Sequence, residues 1–514
     1  MEVDYREFVN EYVWACPAEM PWERGTPMAG ATVDVVIVGN GVLGLSIAYE
    51  AALRDPSLRI VVIGPNARPT AATTAAGAML NCFAEVTSAT DEHPASRAKF
   101  AIARDALDAW PAWLERLDDD GDGSASATWL PGTLLLLVAR STSHTTKNFE
   151  AVHAALKQYS EPHQELDPQD LDEVRAAPHE PPIRAIYLER EGVVDARAVV
   201  ASLETAVRRR GLVIRDDTVA GLVEANGRVT GVRLSTGETV AAGAVVLAAG
   251  TGTQRCIEHL PAGTVQPLFL GTGFAAETRR QRGAGFGHVV RTALRAGSCG
   301  IHVVPLGDRR EYIGATSVVH LDPPEGPGLG IAQAMLQFAV DKFDRRLGFS
   351  QMLRYHYGHR PVPLDTYPLI GRTPVSGLLF ATGTYRDGFH CSPVIARHMA
   401  TLLTASDTEP GPFDHFLPGR VPIETLDVGA AVARYAEEEA STTIDFGAHT
   451  PYFTGVDAGE RVYRQAARDA LDRLGTPIGL RPEILGAVID ADDHQMAKLS
   501  ESLRALRERS PERV

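Results

Sequence analysis

The sequence predicts an α/β protein with an α+β arrangement of two domains and a helical C-terminal extension. A β-branched run, Val33–Val38, leads into a glycine-rich turn, a helix and a second apolar strand at residues 58–64. Residues 265–355 are rich in strand-like runs, and apolar residues at helical spacing follow residue 410. The first unit is typical of a parallel sheet covered on both faces, and the last pattern is typical of amphipathic helices.

The turn after the first strand reads Gly39-Asn-Gly41-Val-Leu-Gly44 and fits the Gly-x-Gly-x-x-Gly motif. Gly39 permits the tight turn, Gly41 lets the backbone approach a pyrophosphate, and Gly44 lets helix and strand pack closely. The N-terminus of the helix would face the phosphate charge. Because a strand precedes the motif and a helix follows it, the sequence predicts a Rossmann-like domain that binds a dinucleotide.

The second strand departs from this motif at its end. An acidic residue is typical there because it accepts hydrogen bonds from the ribose hydroxyls. This strand ends instead in Gly64, followed by Pro65 and Asn66. We therefore expect Asn66 or backbone groups to contact the ribose.

The next elements follow from hydrophobic spacing. A strand is expected at residues 132–138 and a helix near 146–158. Before them, a helix is predicted over residues 95–117. Its apolar side consists of Phe100, Leu107, Trp110, Trp113, Leu114 and Leu117.

Alternation of helix and strand then resumes, with a helix at residues 195–210 and a short strand at 212–215. Asn226-Gly227 between two strand-like runs predicts a β-hairpin. The run at residues 244–250 predicts a buried strand in the same parallel sheet as Gly39, so separated pieces of chain would build one domain.

The tail has a different pattern. Its apolar residues at helical spacing are Val462, Ala466, Ala470 and Leu474, and then Met496, Leu499, Leu503 and Leu506. We expect amphipathic helices that cover another surface of the protein.

Composition argues against several classes of function. A length of 514 residues predicts two or three domains. The formal net charge of -15 argues against nucleic acid and against an anionic membrane surface as partners. The five cysteines are odd in number and widely spaced, which predicts reduced thiols rather than a disulfide framework or a zinc site.

A metal site and a membrane span are likewise not expected. Residues Asp118–Gly123 are similar to the start of a calcium loop, but the twelfth position is Trp129 instead of glutamate. The first residues lack the pattern of a signal peptide, and no run is long and apolar enough to cross a bilayer. These observations predict a cytoplasmic protein.

Several segments, taken in order, resemble one family. They are Gly39-Asn-Gly-Val-Leu-Gly44, Thr74-Ala-Ala-Gly-Ala-Met-Leu-Asn-Cys-Phe-Ala-Glu85, Glu191-Gly-Val-Val-Asp195, Val245-Val-Leu-Ala-Ala-Gly250, Val303-Val-Pro305 with Tyr312-Ile-Gly-Ala-Thr316, Gly358-His-Arg360-Pro361 with Pro368-Leu-Ile-Gly371, and Ala381-Thr-Gly-Thr-Tyr-Arg386-Asp-Gly388. Together they resemble the FAD-dependent D-amino acid oxidase superfamily, in its glycine oxidase and sarcosine oxidase branch. The resemblance covers roughly residues 33–403 and favours FAD over a nicotinamide cofactor.

The resemblance implies a division into domains. The FAD-binding domain would comprise residues 31–90, 195–260 and 356–405, and a mixed-sheet substrate-binding domain would comprise 91–194 and 261–355. Residues 1–30 would form an N-terminal extension and 406–514 a helical C-terminal extension. Neither extension has a recognised counterpart in the family.

The resemblance also implies where FAD binds. The pyrophosphate would lie by Val42 and Leu43, the adenine by Val219, and the isoalloxazine ring within the loop 384–390. The cofactor-binding residues expected in this way are Gly39, Gly41, Val42, Leu43, Gly44, Gly64, Thr73, Thr74, Gly77, Ala78, Met79, Val219, Gly250, Thr384, Tyr385, Arg386, Asp387, Gly388, Phe389 and His390. Sarcosine oxidase-like relatives carry a flavin-linked cysteine just after the arginine that matches Arg360. Residues 360–365 contain none, so FAD is expected to be noncovalent.

Arg360 and Arg386 match positions at which relatives bind the substrate carboxylate. An arginine fork suits this role because it makes two parallel charge-assisted hydrogen bonds. The alternative is that the arginines are solvated or paired with acids, for example Asp365 and Asp387.

His302 stands where glycine oxidase-like relatives carry an aromatic residue. It could hydrogen-bond a different substrate group or titrate near neutral pH, or it could be an ordinary partly buried histidine. With Arg360 and Arg386, it completes the set of candidate catalytic residues.

The implied reaction is oxidation of the C–N bond of an amino acid or related amine. In this family a hydride passes to the flavin, the imine hydrolyses to a keto acid or aldehyde, and oxygen reoxidises the flavin to give hydrogen peroxide. Three alternatives stay open: an FAD-dependent dehydrogenase of a hydroxy acid or polyol phosphate, the tRNA-modifying branch, which the acidic charge disfavours, and a non-catalytic flavin-fold subunit. A homo-oligomer is compatible with each of them.

Overall fold

The computed structural model describes residues 33–121, 123, 128–295, 299–405, 409–424, 426–445 and 455–508. The N-terminal extension expected over residues 1–30 lies outside this range. The strands are β1 (Val33–Val38), β2 (Ile60–Ile63), β3 (Met79–Leu80), β4 (Leu130–Val138), β5 (His163–Leu166), β6 (Pro182–Val193), β7 (Val213–Arg215), β8 (Val219–Ala225), β9 (Arg228–Leu234), β10 (Thr239–Leu247), β11 (Leu268–Arg279), β12 (Val289–Thr292), β13 (His302–Pro305), β14 (Arg310–Gly314), β15 (Val318–His320), β16 (Gln351–Pro363), β17 (Leu369–Arg372), β18 (Leu378–Thr382), β19 (Leu426–Asp427) and β20 (Ile478–Gly479).

The helices follow the same order along the chain. They are α1 (Val42–Arg54), α2 (Ala72–Ala75), α3 (Pro94–Asp120), α4 (Ser143–Gln158), α5 (Ala196–Arg209), α6 (Thr253–Ile257), α7 (Leu329–Lys342), α8 (Ser392–Thr404), α9 (Val428–Asp445), α10 (Gly455–Leu474), α11 (Pro482–Ile489) and α12 (Asp493–Glu508). None of them, within the ranges described, is both long and apolar enough to cross a bilayer.

The first sheet has the strand order β17-β18-β10-β1-β2-β7, with the hairpin β8-β9 attached through β10. β18, β10, β1, β2 and β7 run parallel, whereas β17 is antiparallel to β18. β10 therefore lies beside β1, the strand that precedes Gly39, as expected, although roughly 200 residues of sequence separate the two strands. Helices α1, α5 and α8 pack together on one side, with α3 beside them.

Two local predictions for elements attached to this sheet or packed beside it are confirmed. Asn226 and Gly227 adopt φ angles of 53° and 72°, the left-handed conformation that a two-residue hairpin turn requires. The expected apolar side of α3, which includes Trp110 and Trp113, is buried.

The second sheet has the strand order β15-β11-β14-β13-β12-β4-β6-β3, with β16 also paired to β11 and β5 to β6. It is mixed, because β12 and β4 are parallel while the other neighbouring pairs are antiparallel. The domain boundary expected at residue 356 falls inside β16, so the long strand carries residues 356–363 into this sheet. β3 likewise joins it from within the range 31–90.

The C-terminal extension forms α9 to α12 and packs on the second sheet. The expected stripe of α12, from Met496 to Leu506, is buried. The stripe proposed for α10 is wrong at its start, since Val462 is 68% exposed. Over residues 459–474 of α10, where burial is described, the buried positions are Ala467, Ala470, Leu471 and Leu474. A strict four-residue repeat drifts around a helix of 3.6 residues per turn, so the buried stripe must mix steps of three and four.

Candidate active site

A cavity of about 470 Å³ lies between the two sheets, at the carboxyl ends of β1 and β10. Its wall combines the turn after β1, the segment around α2, residues of β14 and β16, and the loop between β18 and α8. The carboxyl ends of parallel strands are the usual place for ligands in open α/β sheets. This cavity therefore joins the regions expected to bind cofactor and substrate.

The glycine turn forms a close-packed cradle at one end of the cavity. Gly39 has a φ of +112°, and a Cβ there would collide with the carbonyl of Ala248. A Cβ on Gly44 would collide with the carbonyl of Gly39, so Gly44 lies behind the wall and lets α1 pack on β1. Gly41, Val42 and Leu43 line the cavity at the N-terminus of α1, where backbone N–H groups favour an anionic ligand.

The end of β2 differs from the sequence-based expectation. Asn66 does not line the cavity, because its side-chain amide and its backbone N–H both donate to the Asp216 carboxylate at 2.9 Å. The amide of Asn40 instead donates to the carbonyls of Gly64 and Pro65, each at 3.1 Å. Of the two expected ribose contacts, Asn66 is therefore wrong, and contact through backbone groups stays a prediction.

Arg68 and Asp217 are polar residues near the end of β2 that the sequence did not indicate as part of the site. Both line the cavity together with Val219, the residue expected at the adenine. Asp217 lies two residues beyond β7, which runs parallel to β2 on the outer side. The sequence could have indicated Asp217, because parallel strands end at the same edge of a sheet and an acid just after β7 therefore lies near the end of β2.

The small-residue segment before β3 reaches the middle of the cavity. Thr73, Gly77, Ala78 and Met79 line it, and the Thr73 hydroxyl accepts the Val42 N–H at 3.3 Å. Thr74 does not line the cavity. Its hydroxyl donates to the carbonyls at residues 68 and 71, both at 3.1 Å, and so stabilises the start of α2.

The loop 384–390 lines the opposite side, as does Gly250. α3 holds the loop, because Trp110 donates its indole N–H to the His390 carbonyl at 2.7 Å and stacks on Phe389 with ring centroids 5.9 Å apart. His390 donates from Nε2 to the Ala103 carbonyl at 2.8 Å, which leaves Nδ1 as an acceptor. This Nδ1 is buried without a hydrogen-bond partner in the described part of the chain.

Arg360 and Arg386 both lie on the cavity wall and are partly exposed. Arg360 donates from Nη1 to the Thr316 carbonyl at 3.2 Å, and its guanidinium rests on Gly273, where a Cβ would come within 2.5 Å of Nη2. The Arg386 guanidinium lies 5.1 Å from the ring centroid of Tyr385.

The acids considered as partners for these arginines bind other cations. Asp365 accepts two hydrogen bonds from Arg420, at 2.9 and 3.0 Å. Asp387 pairs with Lys99 at 2.8 Å. Within the described ranges neither Arg360 nor Arg386 forms an ion pair, so both guanidinium groups remain available to an anion in the cavity.

His302 is buried on the cavity wall and stacks on Tyr312 with an interplanar angle of 8°. It donates from Nδ1 to the Gly300 carbonyl at 3.1 Å, so Nε2 is an acceptor. Burial, followed by the charges of Arg291 and Arg360, lowers the pKa of His302 to about 3. The expectation that His302 could titrate near neutral pH is therefore wrong, because the ring stays neutral there.

Glu85 is a further cavity residue that the sequence analysis did not identify. Its carboxylate accepts hydrogen bonds from Arg291 and Asn81, each at 2.8 Å. Behind it, buried Glu191 accepts the N–H groups of Cys82 and Ala84, and burial raises the pKa of Glu191 to about 7. Both glutamates belong to segments that carried the family resemblance, but nothing in their local spacing indicated that Glu191 would bind the backbone of the segment that precedes Glu85.

A family model described as DAO, FAD dependent oxidoreductase, matches residues 34–402. The chain belongs to this family. The match includes both sheets and the whole cavity wall, and it ends before the C-terminal extension. The resemblance found in the sequence is thereby confirmed, and with it the two-domain α/β fold of an FAD-dependent oxidoreductase.

The DAO-family chain is 27% identical over 382 residues to the bifunctional protein ThiO/ThiG of Trichormus variabilis, across 74% of this chain and 54% of the relative. It thus spans about half the length of the bifunctional relatives that it matches. It is 24% identical over 391 residues to a glycine oxidase of Geobacillus kaustophilus, across 73% of this chain and 94% of the relative. A crystal structure of glycine oxidase from Geobacillus kaustophilus has a TM-score of 0.64 and 24% identity, and covers 75% of this chain and 98% of its own.

Proposed function

We propose that this DAO-family protein oxidises the C–N bond of an amino acid or related amine, with noncovalently bound FAD and with oxygen as the electron acceptor. The observation that carries the proposal is the pair Arg360 and Arg386 on the wall of the cavity that also contains the glycine cradle. Their alternative partners, Asp365 and Asp387, are bound to other cations. A small molecule with a carboxylate fits this arrangement because its charge would be neutralised on binding.

The residues present fit FAD. Side chains at Gly39 and Gly44 would collide with backbone, so the turn can only exist with glycine, and it leaves room for a pyrophosphate at the N-terminus of α1. The unpartnered Nδ1 of His390 offers an acceptor in the loop that would surround the flavin ring. Cys256 and Cys299 line the cavity and Cys391 does not, so the noncovalent assignment rests on the absence of a cysteine from residues 360–365.

When bound, FAD supplies the two-electron oxidation that converts the amine to an imine, which water then hydrolyses. The protein's own residues bind and orient the substrate. Arg360 and Arg386 would hold the carboxylate, and the neutral Nε2 of His302 would accept an N–H of the substrate. Holding the reacting carbon in one geometry is a large part of what a flavoenzyme contributes.

An anaerobic screen of the purified holoenzyme tests the proposal. We expect amino acids to bleach the flavin band, with weaker bleaching by the corresponding amines without a carboxylate. Readmitted oxygen should restore the band and produce hydrogen peroxide. Bleaching only by hydroxy acids or polyol phosphates would favour the dehydrogenase instead, and a flavin that none of these compounds reduces would favour a non-catalytic subunit.

A further inference from the structure

The C-terminal extension lies outside the family match, yet it packs directly behind the arginine end of the cavity. α11 packs on β15, the strand that follows Thr316 and Ser317. Buried residues of the extension share one apolar cluster with the sheet and with Tyr385 of the cavity wall. Those on α11 are Ile484, Leu485, Ala487 and Val488.

Tyr385 is a cavity-wall residue that belongs to this cluster. It is a non-glycine residue with a φ of +51°, a left-handed conformation that persists only where the surroundings impose it. Its hydroxyl is hydrogen-bonded to Ser317 at 2.8 Å, and its buried ring lies against Gly271, where a Cβ would come within 3.0 Å of it. Burial raises the pKa of Tyr385, and the charge of Glu483 on α11 contributes to that shift.

Residues 316–317 contact Arg360 as well as Tyr385. The Thr316 carbonyl accepts the hydrogen bond from Arg360 Nη1, and the next residue, Ser317, holds the ring on which Arg386 rests. Residues 316–317, which immediately precede β15, therefore contact Arg360 directly and Arg386 through the Tyr385 ring.

The extension also removes a competing acid. Arg420, in the first described part of the extension, binds Asp365 through both carboxylate oxygens. Gln266 and the N–H groups of Tyr367 and Ile423 also donate to Asp365. This carboxylate is therefore saturated and does not compete for Arg360, five residues earlier in the chain.

We propose that the C-terminal extension is a positioning element for the carboxylate-binding end of the cavity. Through α11 and β15 it holds the Thr316 carbonyl and the Tyr385 ring, and these two groups set Arg360 and Arg386 for the substrate. The inference rests on the proposed function, because it takes the anion in the cavity to be the substrate carboxylate. Ser317 and Leu485 are positioning residues in this account, and neither lines the cavity.

Two variants and a matched control test the positioning role of the C-terminal extension in the full-length holoenzyme. Ser317→Ala removes the hydrogen bond to Tyr385, and Leu485→Ala loosens α11. Leu471→Ala truncates an equally buried leucine of α10, which packs on α9, α11 and α12. We expect Ser317→Ala to raise KM for the best amino acid, and Kd for acetate read from the flavin spectrum, by about three- to tenfold, the range for loss of one hydrogen bond. Leu485→Ala should raise both constants in the same direction. In both variants, KM for the decarboxylated amine and the flavin content should be unchanged. In the control, Leu471→Ala, KM for the amino acid should be unchanged as well.

Unchanged acetate binding in Ser317→Ala, or equal changes in Leu471→Ala and Leu485→Ala, would overturn the positioning role and leave the proposed reaction intact. A wild-type enzyme that oxidises neither amino acids nor amines would overturn the proposed function. In that case weaker acetate binding in Ser317→Ala would still support the positioning of the two arginines. If Leu485→Ala does not fold, Ser317→Ala decides the question, because it removes one partly buried hydroxyl.

Discussion

Replacement of Arg360 by alanine is the most direct test of the substrate class. Arg360 already donates one hydrogen bond to the Thr316 carbonyl and is partly exposed, so its bonds to a substrate carboxylate belong at the lower end of the usual range. A hydrogen bond to a charged group contributes about 1.5 to 3 kcal/mol, and two bonds at the lower end give about 3 kcal/mol. We therefore expect kcat/KM for an amino acid to fall by roughly 150-fold, since about 1.4 kcal/mol corresponds to a factor of ten.

The assay compares each amino acid with its decarboxylated amine in steady-state oxidation. Arg360→Ala should penalise the amino acid only, and FAD content should not change. Arg360→Lys should recover part of the loss, because an ammonium keeps the charge but lacks the planar fork. Equal losses for the amino acid and the amine, or loss of bound FAD, would show that Arg360 is structural and that the carboxylate assignment is wrong.

Three further predictions follow from the cavity. Acid denaturation should release FAD into the supernatant, and flavin retained in the protein pellet would contradict noncovalent binding. Gly44→Ala should lower flavin content and thermal stability because its Cβ meets the Gly39 carbonyl, whereas the control Gly330→Ala, whose Cβ meets open space, should do neither; equal flavin content would count against the cradle. Folding lowers the pKa of His302 from 6.5 to about 3, so as the pH falls the unfolded chain takes up a proton on this ring before the folded chain does. The contribution of His302 to the free energy of unfolding is therefore lost as the pH falls below about 6.5. Between pH 7 and pH 4.5, the free energy of unfolding measured in urea should fall by about 2 kcal/mol less in His302→Gln than in the wild-type protein. Equal falls in the two proteins would refute the buried neutral ring.

Local patterns in the sequence were sufficient for several parts of the fold. The glycines at 39 and 44, the hairpin at Asn226-Gly227 and the buried side of α12 were all predicted correctly. Each depends on a property of neighbouring residues: a missing Cβ, a left-handed turn, or a helical repeat. The stripe of α10 was wrong at Val462 because a repeat of four residues only approximates the helical period.

The candidate site was only partly predictable, because its chemistry depends on which distant groups meet. Sequence proximity suggested Asp365 and Asp387 as partners of the arginines, but Arg420 and Lys99 bind these acids instead. The same limit applied to Asn66, whose amide binds Asp216, and to Glu85, which Arg291 contacts from the second sheet.

By itself, the sequence determined the glycine turn, the family and the order of the main elements, and it proposed Arg360 and Arg386 as carboxylate ligands. These features depend on residue types at fixed local spacing. Only the tertiary structure decided that His302 is neutral, that neither Arg360 nor Arg386 forms an ion pair within the described ranges, and that the extension lies behind the arginine end of the cavity. Burial and ion pairing arise from contacts between segments far apart in the chain, and local spacing carries no record of those contacts.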